Sequence, residues 1–287
     1  DLKNLRIFIQ KINFLKFIGG ENIMKKRYII IGIIIGIIII GGIIAMIINN
    51  SKKENINQDE DKYSKGTHHA QITIKDYGTI NVELYADIAP ITVANFAKLV
   101  NEGFYNGLTF HRIISGFMIQ GGDPNGNGTG GSDENIKGEF AQNGVKNTLS
   151  HTRGVISMAR ADYTSYSSQL TTESYNSAGS QFFINTASNT SLDGSYATFG
   201  KVIEGLDVVH AIENVEVKAS SKSTNSDSDS GSNTEVSTPV NDVIISNVTV
   251  ETYGVDYGKP KTLDVWDYYD WVYKTYGINL KSYNSGK

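Results

Sequence analysis

Apolar and polar positions alternate with period two along Gln71 to Lys75 and Thr79 to Leu84, on either side of Asp76-Tyr77-Gly78, which predicts a hairpin with one buried face. The period then changes. Val93, Phe96, Ala97 and Val100 recur at helical spacing after Pro90, a residue suited to a first turn, and Gly103 ends the run. Short strands are predicted at 109–114, 117–121, 154–158, 181–185 and 197–202, a second helix at 206–213 and a last strand at 242–249. Eight strands and two helices predict a mainly β fold. A closed eight-stranded antiparallel barrel is the economical form, because closure leaves no bare edges.

The flanks of this domain, 67–253, read differently. Tyr28 to Ile48 is an uncharged run of 21 residues, almost all Ile and Gly. As a helix it would be about 31 Å long, enough for a hydrocarbon core of about 30 Å. Lys25, Lys26 and Arg27 precede it, so a transmembrane anchor is expected with 1–27 in the cytoplasm and everything from Asn49 onward outside, at the cell membrane. A cleaved signal peptide is the rival; the run is longer than a secretory core, and no A-x-A-like site lies near Asn49. Met24 followed by three basic residues is how an export signal normally starts, so 1–23 are expected not to be translated. Gly32 and Gly36 form a GxxxG that arises easily in such a run, and a monomer is expected. Polar residues dominate 49–66 and 218–238, predicting a disordered linker and a disordered loop without function. In 254–287 an aromatic-rich helix is predicted, with Thr262 as N-cap, Val265, Tyr268, Tyr269 and Val272 on one face, and Gly277 as stop.

Composition removes several functions. Residues 1–27 carry seven Lys/Arg against two Asp/Glu, so the net charge of -4 leaves the remainder at -9, which argues against nucleic acid. Cysteine is absent, which excludes disulfides, thiolate metal sites and cysteine nucleophiles. Asp123 to Glu134 satisfies an EF-hand pattern, and Gly126, Gly128 and Gly131 a GxGxxG, but neither has the flanking helices its chemistry needs. The histidines at 68, 69, 111, 151 and 210 lack ligand spacing, and no serine sits in G-x-S-x-G. No metal or cofactor is expected.

What remains is Phe110-His111-Arg112-Ile113-Ile114-Ser115-Gly116-Phe117-Met118-Ile119-Gln120-Gly121-Gly122-Asp123, an arginine among apolar residues followed by an aromatic, a thioether and an amide. This run resembles the signature of the cyclophilins. Gly154-Val155-Ile156-Ser157-Met158-Ala159, Gly179-Ser180-Gln181-Phe182-Phe183-Ile184-Asn185, and Leu192-Asp193-Gly194 with Phe199-Gly200-Lys201-Val202 agree in the same order. The resemblance covers about 70 to 252 and implies a cyclophilin-like barrel capped by two helices with peptidyl-prolyl cis/trans isomerase activity. Carried over by position, it implies Arg112 and Gln120 as catalytic groups and Phe117, Met118, Phe183 and Leu192 as the proline pocket. Ala159, the backbone of Arg160, and Gln181 would border the peptide groove.

Those residue types suit the reaction. Rotation about an X-Pro bond faces a barrier of about 18–20 kcal/mol from amide resonance. When the bond twists, the nitrogen becomes an acceptor, and a guanidinium can donate to it without losing its proton. Two departures mark a bacterial-type groove: Ser191 where eukaryotic relatives have tryptophan, and Tyr196 where they have histidine. The segment 162–178 is longer than in compact relatives. Proline-containing exported polypeptides are the expected partners; the alternative is a non-catalytic proline-peptide binding module or an adhesin-like surface protein.

Overall fold

The computed structural model describes residues 63–220, 235–251 and 254–280. The expected anchor at 28–48 and nearly all of the 49–66 linker lie outside them. Among the described residues no helix is long and apolar enough to cross a membrane.

An eight-stranded antiparallel sheet organises the domain. Its strands are β1 (Thr67–Ile74), β2 (Gly78–Tyr85), β3 (Thr109–Ile114), β4 (Met118–Asp123), β6 (Val155–Met158), β7 (Phe182–Asn185), β8 (Thr198–Glu204) and β11 (Ile245–Val250). Their order is β11-β1-β2-β8-β6-β7-β4-β3. The β1–β2 hairpin pairs Thr67 with Tyr85 through to Ile74 with Gly78, and alternate residues Ile72, Ile74, Ile80, Val82 and Leu84 are buried, as period two requires. Asp76 holds a positive φ of 65 in the turn, a conformation Asp tolerates better than most side chains.

The expected closed barrel is not formed. The outer strands β11 and β3 meet only at an isolated bridge between Thr109 and Ile244, supported by Phe110 N to Val243 O and Ile245 N to Leu108 O. Next to this bridge the β3–β4 pairing is irregular, with Gly122 of β4 and His111 of β3 left out of register. The sheet is therefore curled and unclosed along the half of β3 that carries Arg112.

Helices α1 (Pro90–Asn101) and α3 (Leu206–Glu213) lie against this sheet. On α1 the residues Val93, Phe96, Ala97 and Val100 are buried, as their spacing predicts. Phe96 meets Tyr105, Phe182 and Phe199 with ring centroids 5.2–5.9 Å apart, the aromatic centre of the core. Glu139, itself buried, accepts from Ile91 N, Thr92 N and Thr92 Oγ1 at the start of α1, where peptide N–H groups lack helical partners.

The shorter elements depart from expectation. The ends of 218–238 are ordered: β9 (Val217–Ala219) pairs with β10 (Val236–Pro239), and β10 runs beside β3. Residues 162–178 fold into a 3-10 turn and the short helix α2 (Thr171–Tyr175). In the tail, Thr262 is not an N-cap. It begins β12 (Thr262–Asp264), paired with β5 (Glu134–Ile136), and its hydroxyl donates to Glu134. The tail helix α4 (Tyr268–Tyr276) is capped by Asp267, whose side chain accepts from Asp270 N, and Gly277 stops it at φ 72 as expected. Val272 is buried on α4, while Tyr268 and Tyr269 stay exposed; Trp266 stacks on Tyr163 at 4.2 Å.

Candidate active site

Strands β3, β4 and β7 bring the principal residues together by register. Arg112 lies opposite Gln120 across β3 and β4, and Gln120 lies opposite Phe183 across β4 and β7. Arg112 Nη1 donates to Gln120 Oε1 at 3.3 Å and approaches Met118 Sδ at 3.8 Å. Gln120 Nε2 donates to Gln181 Oε1 at 2.8 Å, and Gln181 Nε2 to the Gly130 carbonyl at 2.7 Å. Each amide thus has its orientation set by the next, and the glycine-rich loop fixes the last one. Asp123 at the base of that loop turns its carboxylate onto the backbone N–H groups of Asn125, Asn127 and Gly128. Glu134, the other end of the EF-hand-like spacing, faces Lys98 and Thr262. The loop is flanked by β4 and β5, and its acids are used to build it.

The apolar members form a wall beside Arg112. Met118 and Phe183 are buried, and Phe117 is half-buried at the turn between β3 and β4. Thr186 N and Asn189 Nδ2 both donate to the Phe117 carbonyl, at 3.0 and 2.7 Å, which ties that turn to the segment following β7. Tyr196 meets the Phe183 ring edge-on at 5.8 Å. Leu192 is half-buried at the end of a 3-10 turn, one residue before Asp193. Ala159 N donates to the Gln181 carbonyl at 2.9 Å, so the backbone there borders the groove. The Arg160 side chain turns aside: its guanidinium lies over the rings of Phe140, Tyr175 and Tyr196 and donates from Nε to Ser195 O. A groove of about 810 Å³ is lined by Arg112, Gln120, Ala159, Arg160 and Gln181, with Tyr163 and Trp266 also on its wall; Phe117, Met118, Phe183, Leu192 and Tyr196, the apolar and aromatic candidates, are not among its lining residues.

Two residues of this site carry no signal in the sequence pattern. His151, dismissed there for lack of ligand spacing, is fully buried behind the wall, with its ring parallel to Phe183 at 6.0 Å. Burial pushes its pKa below the usual histidine value, against the pull of Asp193, so the ring is neutral near pH 7. Asp193 accepts from Ser150 Oγ, His151 N and His151 Nδ1; although partial burial works the other way, these bonds hold its carboxyl below the usual range. Glu235 is the second. Its carboxylate takes Arg112 Nε and Nη2 at 2.7 Å each, across 123 residues of chain.

Comparison with known proteins identifies the family. The family of cyclophilin type peptidyl-prolyl cis-trans isomerase/CLD matches residues 69–250, and the chain belongs to that family. It is 44% identical over 144 residues to peptidyl-prolyl cis-trans isomerase B of Bacillus subtilis, covering 50% of this chain and 90% of that protein. With peptidyl-prolyl cis-trans isomerase-like 2 of Rhizopus delemar it shares 43% over 170 residues, 58% of this chain but only 29% of that longer relative. The crystal structure of a cyclophilin type isomerase from Cryptosporidium parvum superposes with a TM-score of 0.52 at 29% identity, covering 65% of this chain and 99% of that one. The protein is a peptidyl-prolyl cis-trans isomerase.

Proposed function

We propose that this isomerase acts through Arg112 on X-Pro bonds of exported polypeptides, held near the membrane by residues 28–48, with a bacterial-type groove and as a monomer. The observation that carries the mechanism is the Arg112 fork, held against Gln120 and Met118 and lining the groove together with Gln120. A proline ring enters the apolar wall, and Gln120 steadies a substrate carbonyl. As the bond twists, resonance is lost and the nitrogen pyramidalises into an acceptor. An N–H at the Nη end of Arg112 donates to it. Because the planar amide nitrogen is a poor acceptor, the bond is strong only at the transition state, and it lowers the barrier instead of tightening ground-state binding. Apolar walls exclude water that would otherwise favour the planar, more polar amide. The step uses no cofactor and forms no covalent intermediate.

Ser191 and Tyr196 support the bacterial-type groove, and the basic cluster before Tyr28 supports export of the domain. Exchange spectroscopy on an Ala-Pro peptide tests the mechanism: Gln120→Ala is expected to slow catalysed exchange about tenfold through loss of the carbonyl contact, and an unchanged rate argues against that role. Protease treatment of intact cells tests location. Digestion of the domain from outside is expected; full protection until lysis would contradict it.

A further inference from the structure

The groove has a built-in counter-charge that the isomerisation chemistry does not call for. Glu235 stands at the start of the β10 segment and meets the Arg112 fork side-on, with Oε1 on Nε and Oε2 on Nη2, each at 2.7 Å. Ser237, two residues along and buried on β10, donates its hydroxyl to the same Oε1 at 2.7 Å. The carboxylate is therefore held from two sides, by a strand that runs beside β3. Both partners of the ion pair line the groove and keep substantial exposure, 32% for the Arg112 side chain and 44% for that of Glu235.

We infer that Glu235 is a specificity-determining residue, cancelling the charge of Arg112 and so turning the groove away from acidic residues beside the substrate proline. The inference rests on the groove around Arg112 being the substrate site. An uncompensated guanidinium would attract a carboxylate on the peptide, because two-point recognition of carboxylates is what its planar fork does best. Here the internal carboxylate already occupies that edge. As part of the same chain it competes at a high effective concentration. A substrate Asp or Glu next to proline gains little from Arg112 and is repelled by Glu235, whereas a Lys or Arg meets an exposed carboxylate edge. The second N–H of Nη2, which the contact with Glu235 does not use, is left for a neutral amide.

The other charges of the groove do not replace this pair. Arg160 is boxed by three aromatic rings, and Asp162 is engaged by Thr164 N and Oγ1. The other side-chain partners of Arg112, Gln120 and Met118, are neutral. Among the described residues Glu235 is thus the acidic side chain in contact with the Arg112 guanidinium, and it comes from a segment that composition alone marks as featureless.

The test compares the full chain with Glu235→Gln and Glu235→Ala on three peptides that differ only in the residue after proline: Asp, Ala or Lys. Catalysed exchange and calorimetric binding are both read as Lys-to-Asp ratios, so a lower fraction of folded variant cancels. The wild type is expected to prefer Lys over Asp by about fivefold, and both variants to lower that ratio about fivefold or more at low salt, since a partly exposed charge acts through a screened field. Near 0.5 M salt the difference should shrink. Ser237→Ala should shift the ratio the same way by less. If the ratio of wild type and both variants agrees in exchange and in binding, the role assigned to Glu235 is overturned. If the wild type fails to accelerate even the Ala peptide while the binding ratio still shifts, the isomerase mechanism is what fails and the charge role stands.

Discussion

His151 and Asp193 share a 2.8 Å hydrogen bond from imidazole Nδ1 to carboxylate, which holds the His151 ring beside Phe183 of the candidate pocket. The ring has one face along Phe183, and Asp193 adjoins Leu192, so two candidate pocket residues depend on one buried pair.

That pair makes stability sensitive to mild acid. The folded pKa of His151 is depressed by burial, so its contribution is fully present above the unfolded value of 6.5 and is lost as pH falls through the folded value. Thermal melts between pH 7.5 and about 5 should show the melting temperature falling below about pH 6.5. His151→Asn keeps a donor for Asp193 without a titrating ring and should flatten that slope. Equal slopes in the two proteins would remove His151 as the cause.

Glu139 gives a prediction of opposite sign. Desolvation raises its pKa above 4.5, only partly offset by the bonds from Thr92 and Ile91, so its contribution is largest below 4.5 and declines as pH rises through the folded value. Glu139→Ala removes the acceptor for three donors at the start of α1. A loss of about 2–4 kcal/mol is expected, seen as a fall in melting temperature of about 5–15 °C. Glu139→Gln keeps one acceptor oxygen and should cost less than half of that at pH 7. A Gln variant as damaged as the Ala variant would show that the charge itself matters.

The tail is anchored by Trp266 on Tyr163 and by the β5–β12 pairing. Trp266→Ala should cost about 0.5–1.5 kcal/mol beyond the loss of apolar area and speed proteolysis within 254–280 without exposing the sheet. Unchanged digestion kinetics would mean that the pairing alone holds the tail.

Much of this arrangement was legible in the sequence for a physical reason: β1 and β2 bury one face each and so alternate, while β6 and β7, buried throughout, show as short apolar runs between polar or glycine-rich loops. Arg112, Met118 and Gln120, which the fold brings into contact, could be singled out as candidates because they sit in one contiguous motif run. What stayed hidden depends on contacts between distant, polar segments. β9, β10 and β12 are too short for a period, and Thr262 had the composition of an N-cap but was taken by Glu134 into a strand pair. Glu235 looked like one more polar residue of a Ser/Asn/Asp-rich loop, and His151 like an isolated histidine; each has its role only through a partner 123 or 42 residues away. The closed barrel failed where the outer strands share only an isolated bridge, Thr109 with Ile244, and alternation along a strand does not record how far two distant strands run together.

Catalysed exchange on an Ala-Pro peptide by wild type, Arg112→Lys and Arg112→Ala tests the central claim most directly. The account predicts strong acceleration by the wild type, a loss of kcat/KM of about 10²-fold or more in the Ala variant, and only partial activity in the Lys variant, which keeps the charge but not the fork. Peptide binding should weaken far less than turnover. An Arg112→Ala enzyme that exchanges the peptide at the wild-type rate would contradict it.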